Sequence, residues 1–142
     1  MSARVQVVID CADPGALAPF WAEVLGYVEQ PPPEGSATWE DWAREHGIPQ
    51  EDWNKAGSVV DPDGKGPRFY FQQVPEGKIV KNRVHVDVFV GEGLSGDERR
   101  AKAEAEAVRV ESLGGTKVRR FDERDEFWIV MADPEGNEFC LA

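Results

Sequence analysis

The chain has little of several residue types on which common functional sites depend. Its 142 residues include two cysteines, two histidines and two methionines. Two cysteines cannot build the disulfide framework of a small secreted domain. Both Cys11 and Cys140 lie in apolar strand-like runs, which favours reduced, buried thiols over a disulfide. A 2-His-1-carboxylate iron site is not expected either, because the second histidine, His46, lies in a different segment from His85.

Positive charge and long apolar runs are also scarce. Against 27 acidic residues the chain has 16 basic ones, for a formal net charge of −11. This predicts no nucleic-acid partner, since phosphate binding needs a clustered basic surface. No apolar run approaches the roughly 20 residues of a membrane span, and no charged-then-apolar signal pattern opens the chain. We therefore expect a cytoplasmic protein without a membrane partner, folded as a single domain over residues 1–142.

The chain does contain a near-repeat. Asp61-Pro62-Asp63-Gly64 and Asp133-Pro134-Glu135-Gly136 each precede a strand-like run. In each half a strand comes first, then a helical stretch, then short strands and this turn. The pattern predicts an α+β fold of two tandem βαβββ modules, at about 1–77 and 78–142.

The individual elements follow from periodicity and from capping residues. Strands are predicted at 4–11, 27–30, 58–60, 68–74, 82–90, 116–121, 126–132 and 137–141. Asp13 and Pro14 begin one helix, which Gly26 ends, and a narrow apolar stripe predicts a second helix near 97–113.

Residues 34–56 do not fit the minimal module. Thr38 to Asp41 resembles a capping box, which predicts a helical insertion. Its three tryptophans, Trp39, Trp42 and Trp53, predict packing over a cleft mouth or against a partner, as a fixed cover or a mobile lid.

Four segments carry a resemblance to a known family: Ile9 to Pro14 with Phe20-Trp21, Gly66 to Gln72, Lys81 to His85, and Asp133 to Cys140. In them the chain resembles the vicinal oxygen chelate superfamily, which includes glyoxalase I, extradiol dioxygenases and bleomycin-resistance proteins. It is most similar to glyoxalase-like proteins of actinomycetes. The resemblance implies a mixed sheet cupped around a cleft, which a homodimer could complete.

The resemblance also implies where metal ligands would lie. Carried over by position, they are Gln6 and His85 on the first strands, Cys140 on the last strand, and either Tyr70 or Gln72. Metal-dependent members place carboxylates where this chain has none, so glyoxalase I activity and a bound metal cofactor are not expected. Zinc held by His85 and Cys140, with Gln6 or a tyrosine, is the alternative.

His85 and Glu138 are the catalytic candidates. His85 carries an imidazole, the side chain best suited to acid–base work, or it can simply hydrogen-bond to Gln6 or water. Glu138 could act as a general base or ligand acceptor, or pair with Lys81 or Arg83 at the sheet rim. A nucleophilic Cys140 would need a lowered pKa. Asp10 and Asp87 could supply carboxylates to the cleft or cap nearby backbone.

The expected function is binding or transforming a small organic ligand in a degenerate cleft that holds no metal ion. A lyase or isomerase, a drug-sequestering protein of the bleomycin-resistance type, a metal-dependent lyase or dioxygenase, and an interaction domain using residues 34–56 are the alternatives. The ligand-binding candidates are Gln6, Trp21, Phe69, Phe71, Gln72, Trp128, Met131 and Cys140.

Overall fold

The computed structural model describes residues 1–142, which form two compact units. Unit 1 is Met1–Gly77 and unit 2 is Lys78–Ala142. Each unit has its own four-stranded mixed sheet, with strand order β1-β4-β3-β2 in unit 1 and β5-β8-β7-β6 in unit 2. The predicted α+β fold with two tandem βαβββ arrangements is confirmed. No helix combines the length and the apolar character needed to cross a membrane.

Unit 1 contains the first four strands, two α-helices and a 3₁₀ helix. In chain order they are β1 (Val7–Cys11), α1 (Pro14–Leu25), β2 (Val28–Glu29), α2 (Trp39–Glu45), the 3₁₀ helix (Gln50–Lys55), β3 (Ala56–Val60) and β4 (Phe69–Gln73). β1 pairs with β4 in parallel, while β3 runs antiparallel to both β4 and β2.

Helix α1 begins and ends where its capping residues predict. The Asp13 carboxylate accepts a hydrogen bond from the Ala16 amide, and Pro14 occupies the first turn. Gly26 ends the helix with φ of 68°, a left-handed conformation that glycine adopts without steric cost. The buried face of α1 then packs on β3 and β4.

The core of unit 1 holds three of the residues predicted to line a ligand cavity. Trp21 is 1% exposed, Phe69 2% and Phe71 0%, and the rings of Trp21 and Phe69 lie 5.6 Å apart. Alternate residues of a strand face opposite sides of the sheet. Phe69 and Phe71 therefore face α1, opposite to Tyr70 and Gln72. Their assignment to a cavity wall is corrected: all three aromatic residues form the core beneath α1.

The predicted insertion folds as α2 and the 3₁₀ helix. Thr38 caps α2 by accepting a hydrogen bond from the Asp41 amide at 3.0 Å. The Asn54 side chain links the 3₁₀ helix to α1, since its Nδ2 donates to Asp13 Oδ1 at 2.8 Å and its Oδ1 accepts from the Gly15 amide at 2.7 Å. The insertion is thus fastened to the first turn of α1.

Unit 2 contains one long helix and the other four strands. They are β5 (Val86–Val88), α3 (Gly96–Ser112), β6 (Thr116–Glu123), β7 (Glu126–Ala132) and β8 (Glu138–Leu141). β5 is parallel to β8, and β7 pairs antiparallel with β8 and β6. The strands 82–90 and 116–121 were thus predicted too long and too short, respectively.

The core of unit 2 lies between α3 and one face of the sheet. Ala103, Ala107 and Val110 of α3 are buried there, as the apolar stripe predicts. From the sheet come Phe127, Ile129, Met131, Phe139 and Leu141, each at most 2% exposed. Met131 is therefore a core residue, and its predicted place in a ligand cavity is also corrected.

The two Asp-Pro turns share one arrangement of hydrogen bonds, in which the aspartate carboxylate accepts from backbone amides. Asp61 Oδ1 accepts from the Asp63 amide at 2.9 Å, and its Oδ2 accepts from the Gly66 amide at 2.7 Å. Asp133 Oδ1 likewise accepts from the amides of Glu135 and Asn137, both at 2.9 Å. In each unit one carboxylate thus organises the turn that leads into the last strand.

Candidate functional site

Unit 2 has a recess on the sheet face opposite α3, with a volume of about 620 Å³. The alternation that buries Phe139 and Ile129 turns Glu138, Cys140, Trp128 and Val130 toward this recess. Further residues from β5, β6 and β7, from α3 and from the adjoining loops complete its lining: Lys81, His85, Asp87, Arg99, Val118, Arg119, Asp125, Glu126, Phe127 and Ala142. The volume lies within the range typical of small-molecule sites.

His85, Asp87 and Cys140 converge in this recess. Asp87 is directly opposite Cys140 in the β5–β8 register. His85 Nε2 lies 3.3 Å from Asp87 Oδ1. One nitrogen, oxygen or sulfur atom from each of the three residues lies within 4.8 Å of the others. The structure thus brings together two residues predicted from the sequence, His85 and Cys140. Asp87 adds a carboxylate, which was one of its two predicted roles.

Cys140 is a protonated thiol at neutral pH. Its pKa is raised to about 11, and burial is the largest cause. The negative charge of Asp87 and the hydrogen bond between the two side chains also contribute to the shift. A thiol needs a lowered pKa to act as a nucleophile. The arrangement therefore does not support a nucleophilic Cys140.

Glu138 forms an ion pair with Lys81, which was one of its two predicted arrangements. The hydrogen bond from Lys81 lowers the pKa of Glu138 below its ordinary value, with partial opposition from burial. A carboxylate whose pKa is lowered is a weaker base. Glu138 is thus better suited to holding a donor group of a ligand than to removing a proton.

An aromatic pair and a free cation lie on the same sheet face. The rings of Trp128 and Phe121 stack with centroids 4.0 Å apart and planes inclined by 15°. Arg119 is exposed, lines the recess opposite Val130, and forms no ion pair with the protein. Lys81 and Arg99, by contrast, are engaged by Glu138 and by the Phe127 carbonyl oxygen.

Sequence reasoning missed Arg119 and Phe121 for a structural reason. The register between β6 and β7 shifts at a bulge between Lys117 and Arg119. A bulge interrupts strict alternation and so changes which residues share a face. The run Thr116 to Phe121 carries no local signal, such as a glycine, that would locate the bulge.

The open face of the unit 1 sheet has a different character. Gln6 accepts a hydrogen bond from Arg68 at 2.9 Å, and Gln72 donates to Asp10 at 3.3 Å. The Arg68 guanidinium lies 5.1 Å from the centre of the Tyr70 ring. The predicted ligand-binding residues Gln6 and Gln72 are therefore engaged by neighbouring side chains of their own sheet.

The strand registers agree with the equivalence drawn between Gln6 and His85. In each unit the phenylalanine of the last strand, Phe69 or Phe139, lies opposite the residue two positions before the aspartate of the turn. The same phenylalanines lie opposite Val7 and Val86 on the first strands, directly after Gln6 and His85. Tyr70, rather than Gln72, therefore occupies the position in unit 1 that Cys140 has in unit 2.

The cluster in the recess has donors suited to a divalent metal ion such as zinc. Two ligands bound to tetrahedral zinc at about 2.0 Å lie about 3.3 Å apart. The same separation is found between His85 Nε2 and Asp87 Oδ1. Imidazole, carboxylate and thiolate are all zinc ligands, and bound metal deprotonates a coordinating thiol. His85, Asp87 and Cys140 could therefore hold such an ion.

Comparisons with known proteins agree with this fold. A search of curated proteins finds no match. Among solved structures, a glyoxalase/bleomycin resistance/dioxygenase family enzyme from Burkholderia phytofirmans PsJN is 15% identical with a TM-score of 0.60, over 96% of this chain and 94% of that one. A mutant fosfomycin resistance protein from Listeria monocytogenes, complexed with Mn(II) and dihydroxypropylphosphonic acid, is 10% identical with a TM-score of 0.64, over 99% and 89%.

A third similar structure is the bleomycin-binding protein of Streptomyces verticillus complexed with copper(II)-bleomycin. It is 12% identical with a TM-score of 0.55, over 100% of this chain and 96% of that one. At these identities the likeness shows the fold, which is that of the glyoxalase/bleomycin resistance/dioxygenase superfamily. The model of the glyoxalase-like domain family matches residues 6–142. The chain therefore belongs to the glyoxalase-like domain family.

Proposed function

We propose that the protein binds a small organic anion with a flat apolar body in the unit 2 recess. The observation that carries this proposal is the presence of Trp128 and the unpaired Arg119 in one recess of about 620 Å³. An indole offers a broad apolar surface for a ring, and a guanidinium pairs well with a carboxylate or phosphonate. Similar structures bind bleomycin and a phosphonic acid, which supports small-molecule binding in general.

Transformation of the ligand would depend on His85. Its ring lies beside the Asp87 carboxylate, and a carboxylate partner orients an imidazole for proton transfer. Cys140 supplies no thiolate at neutral pH in the metal-free recess. Binding alone requires neither proton transfer nor a thiolate. Sequestration of the ligand and proton-transfer catalysis would therefore use the same recess.

Calorimetry with matched probes tests the binding proposal. We expect 2-naphthoate to bind and the neutral 2-naphthamide to bind more weakly. Arg119→Gln should weaken naphthoate binding by about twofold to fivefold, as for an exposed ion pair. Trp128→Ala should weaken it by about twofold to tenfold. Arg83→Gln is the control, because Arg83 is exposed in unit 2 but outside the recess. Equal binding of both probes would contradict the proposal.

The converging donors favour a second candidate, a metal-dependent recess. A divalent ion held by His85, Asp87 and Cys140 would polarise a ligand oxygen as a Lewis acid. Elemental analysis of untagged protein separates this candidate from the metal-free recess predicted by sequence. Zinc at 100 times its dissociation constant should raise the free energy of unfolding by about 2.7 kcal/mol. His85→Ala should abolish that gain, while His46→Ala, which removes the other histidine, should retain it.

A further inference from the structure

Unit 1 contains a second cavity, of about 800 Å³, between α1, α2, the 3₁₀ helix and β3. It shares no residue with the recess described above, whose lining belongs entirely to unit 2. The wall contributed by α1 and β3 is built from small residues, including Ala18, Ala22 and Gly57. Small side chains on this wall leave room for a ligand opposite the helices of the insertion.

Three tryptophans form the opposite wall. Trp39, Trp42 and Trp53 all line the cavity, and each keeps part of its surface exposed. Trp39 Nε1 donates to the Gln30 carbonyl oxygen at 2.7 Å, and Trp53 Nε1 donates to that of Ile48 at 3.0 Å. These bonds fix two of the indoles.

Trp42, the third tryptophan, is held by ring contacts. It stacks on His46 with centroids 4.3 Å apart and meets Trp39 edge-on at 5.5 Å. Together with the hydrogen bonds of Trp39 and Trp53, these contacts make an aromatic wall that exists before any ligand arrives. A wall fixed in advance lowers the entropic cost of binding.

The charges around the cavity favour a cation. Four carboxylates line it, from Glu23, Glu29, Glu40 and Asp52, against two basic residues. Both basic residues are engaged: Lys55 pairs with Asp52 at 2.6 Å, and Arg68 donates to Gln30 at 2.6 Å and to Gln6 at 2.9 Å. Glu29 and Glu40 are exposed and have no basic partner, so the rim keeps a negative charge.

The protein already places a cation on one of these indoles. The Arg44 guanidinium lies 5.0 Å from the centre of the Trp53 ring, within the range of a cation–π interaction. We propose that the cavity binds small organic cations, in which an ammonium group on an apolar body contacts the indoles of Trp39 and Trp42 near Glu29 and Glu40. This function is separate from anion binding in the unit 2 recess.

Nuclear magnetic resonance of the ¹⁵N-labelled protein tests this inference. The five tryptophans give five indole signals, which Trp→Phe variants assign. The probe is benzyltrimethylammonium, and the neutral comparison is N-benzylacetamide. We expect the ammonium to shift the signals of Trp39, Trp42 and Trp53, and to leave those of Trp21 and Trp128 in place. A dissociation constant on the order of 1 mM suits a ligand of this size.

Variants then test separately the contribution of the carboxylates and that of the indole rings to binding. The double change Glu29→Gln and Glu40→Gln should weaken binding by about twofold to fivefold. Trp42→Ala should weaken it by about threefold or more. Trp128→Phe in unit 2 is the matched control and should bind the probe normally. The remaining indole signals show in the same spectra that each variant is folded.

Three outcomes would overturn the inference. The first is equal affinity for N-benzylacetamide, which would remove the role of charge. The second is unchanged affinity in the double glutamine variant. The third is a spectrum in which only Trp128 responds, or in which no indole responds at about 10 mM probe, well above the expected dissociation constant. Naphthoate binding in the unit 2 recess is measured separately, so the two proposals can fail independently.

Discussion

At the scale of the residue, Cys140 shows how its neighbours set the chemistry of the recess. Its thiol is buried beside the Asp87 carboxylate, and both features disfavour the thiolate. The same residue would become a good ligand once a metal ion supplied positive charge. The protonation state of Cys140 would therefore differ between a metal-free recess and a recess that holds a metal ion.

Alkylation of Cys140 tests this account of the thiol. With its pKa raised to about 11, Cys140 should react very slowly with iodoacetamide near pH 7.5. Mass spectrometry of the Cys140 peptide, compared with the same protein in urea, measures the difference. Asp87→Asn removes the carboxylate and should speed the reaction while the protein remains folded. Rapid modification of the native wild type would refute the raised pKa.

The pH dependence of stability gives a second test at this scale. Because the folded-state pKa of Cys140 lies above its ordinary value, the unfolded chain loses this proton first as the pH rises. The free energy of unfolding should therefore fall between the ordinary pKa, about 8.5, and about 11. Urea titrations of the wild type and Cys140→Ala isolate this effect, since the variant should lack that part of the loss. Parallel curves for the two proteins would contradict the prediction.

At the scale of the element, the Asp-Pro turns explain why the near-repeat is readable in sequence. In each turn one carboxylate accepts hydrogen bonds from several backbone amides. Asp133 is 3% exposed and Asp61 is more open to solvent. The same motif thus performs the same local task in two surroundings.

Removing these carboxylates should therefore have unequal effects. Asp133→Ala leaves buried amides without an acceptor and should cost about 2 to 3 kcal/mol of unfolding free energy. Asp61→Ala is the matched change and should cost less. Backbone amides lower the pKa of Asp61, so its stabilisation is present above its ordinary pKa and is lost as the pH falls through the lowered value. Equal losses by urea titration at pH 7 would contradict the role assigned to burial.

The first turn of α1 offers another prediction at this scale. Asp13 accepts hydrogen bonds from the Ala16 amide and from Asn54 of the 3₁₀ helix. Asp13→Ala should lower the unfolding free energy by about 1 to 2 kcal/mol. Asp13→Asn keeps an acceptor and should cost less than half of that. Calorimetric melting of both variants measures the difference, and equal melting temperatures would rule out the capping role.

The limits of helices and strands were easier to predict than which of their residues face a cavity and which face the core. Asp13, Pro14 and Gly26 predicted the limits of α1, because capping is local chemistry. Which residues share a recess depends on strand register and on bulges, which arise from pairing between distant segments. Alternation shows that Phe69 and Phe71 share one face of β4, but it does not show that this face meets α1, and so they were placed on the wrong face. The sequence did predict correctly that His85 and Cys140 lie close together, because each of them belongs to a segment that carries the family resemblance.

At the scale of the whole molecule, two units of one design carry different surfaces. Unit 2 combines Trp128, Arg119 and the His85–Asp87 pair in its recess. The corresponding sheet face of unit 1 has its polar groups engaged with one another, and its cavity lies beside the helical insertion. The duplicated fold thus supports one recess suited to anions and one cavity suited to cations.

The most direct test of the account is a titration of ¹⁵N-labelled protein with 2-naphthoate, read at the indole signals. We expect a saturable shift of the Trp128 signal, weakened in Arg119→Gln, with the signals of Trp39, Trp42 and Trp53 unmoved. Shifts confined to the unit 1 tryptophans, or a Trp128 response that is the same in Arg119→Gln, would contradict the assignment of the unit 2 recess as an anion-binding site.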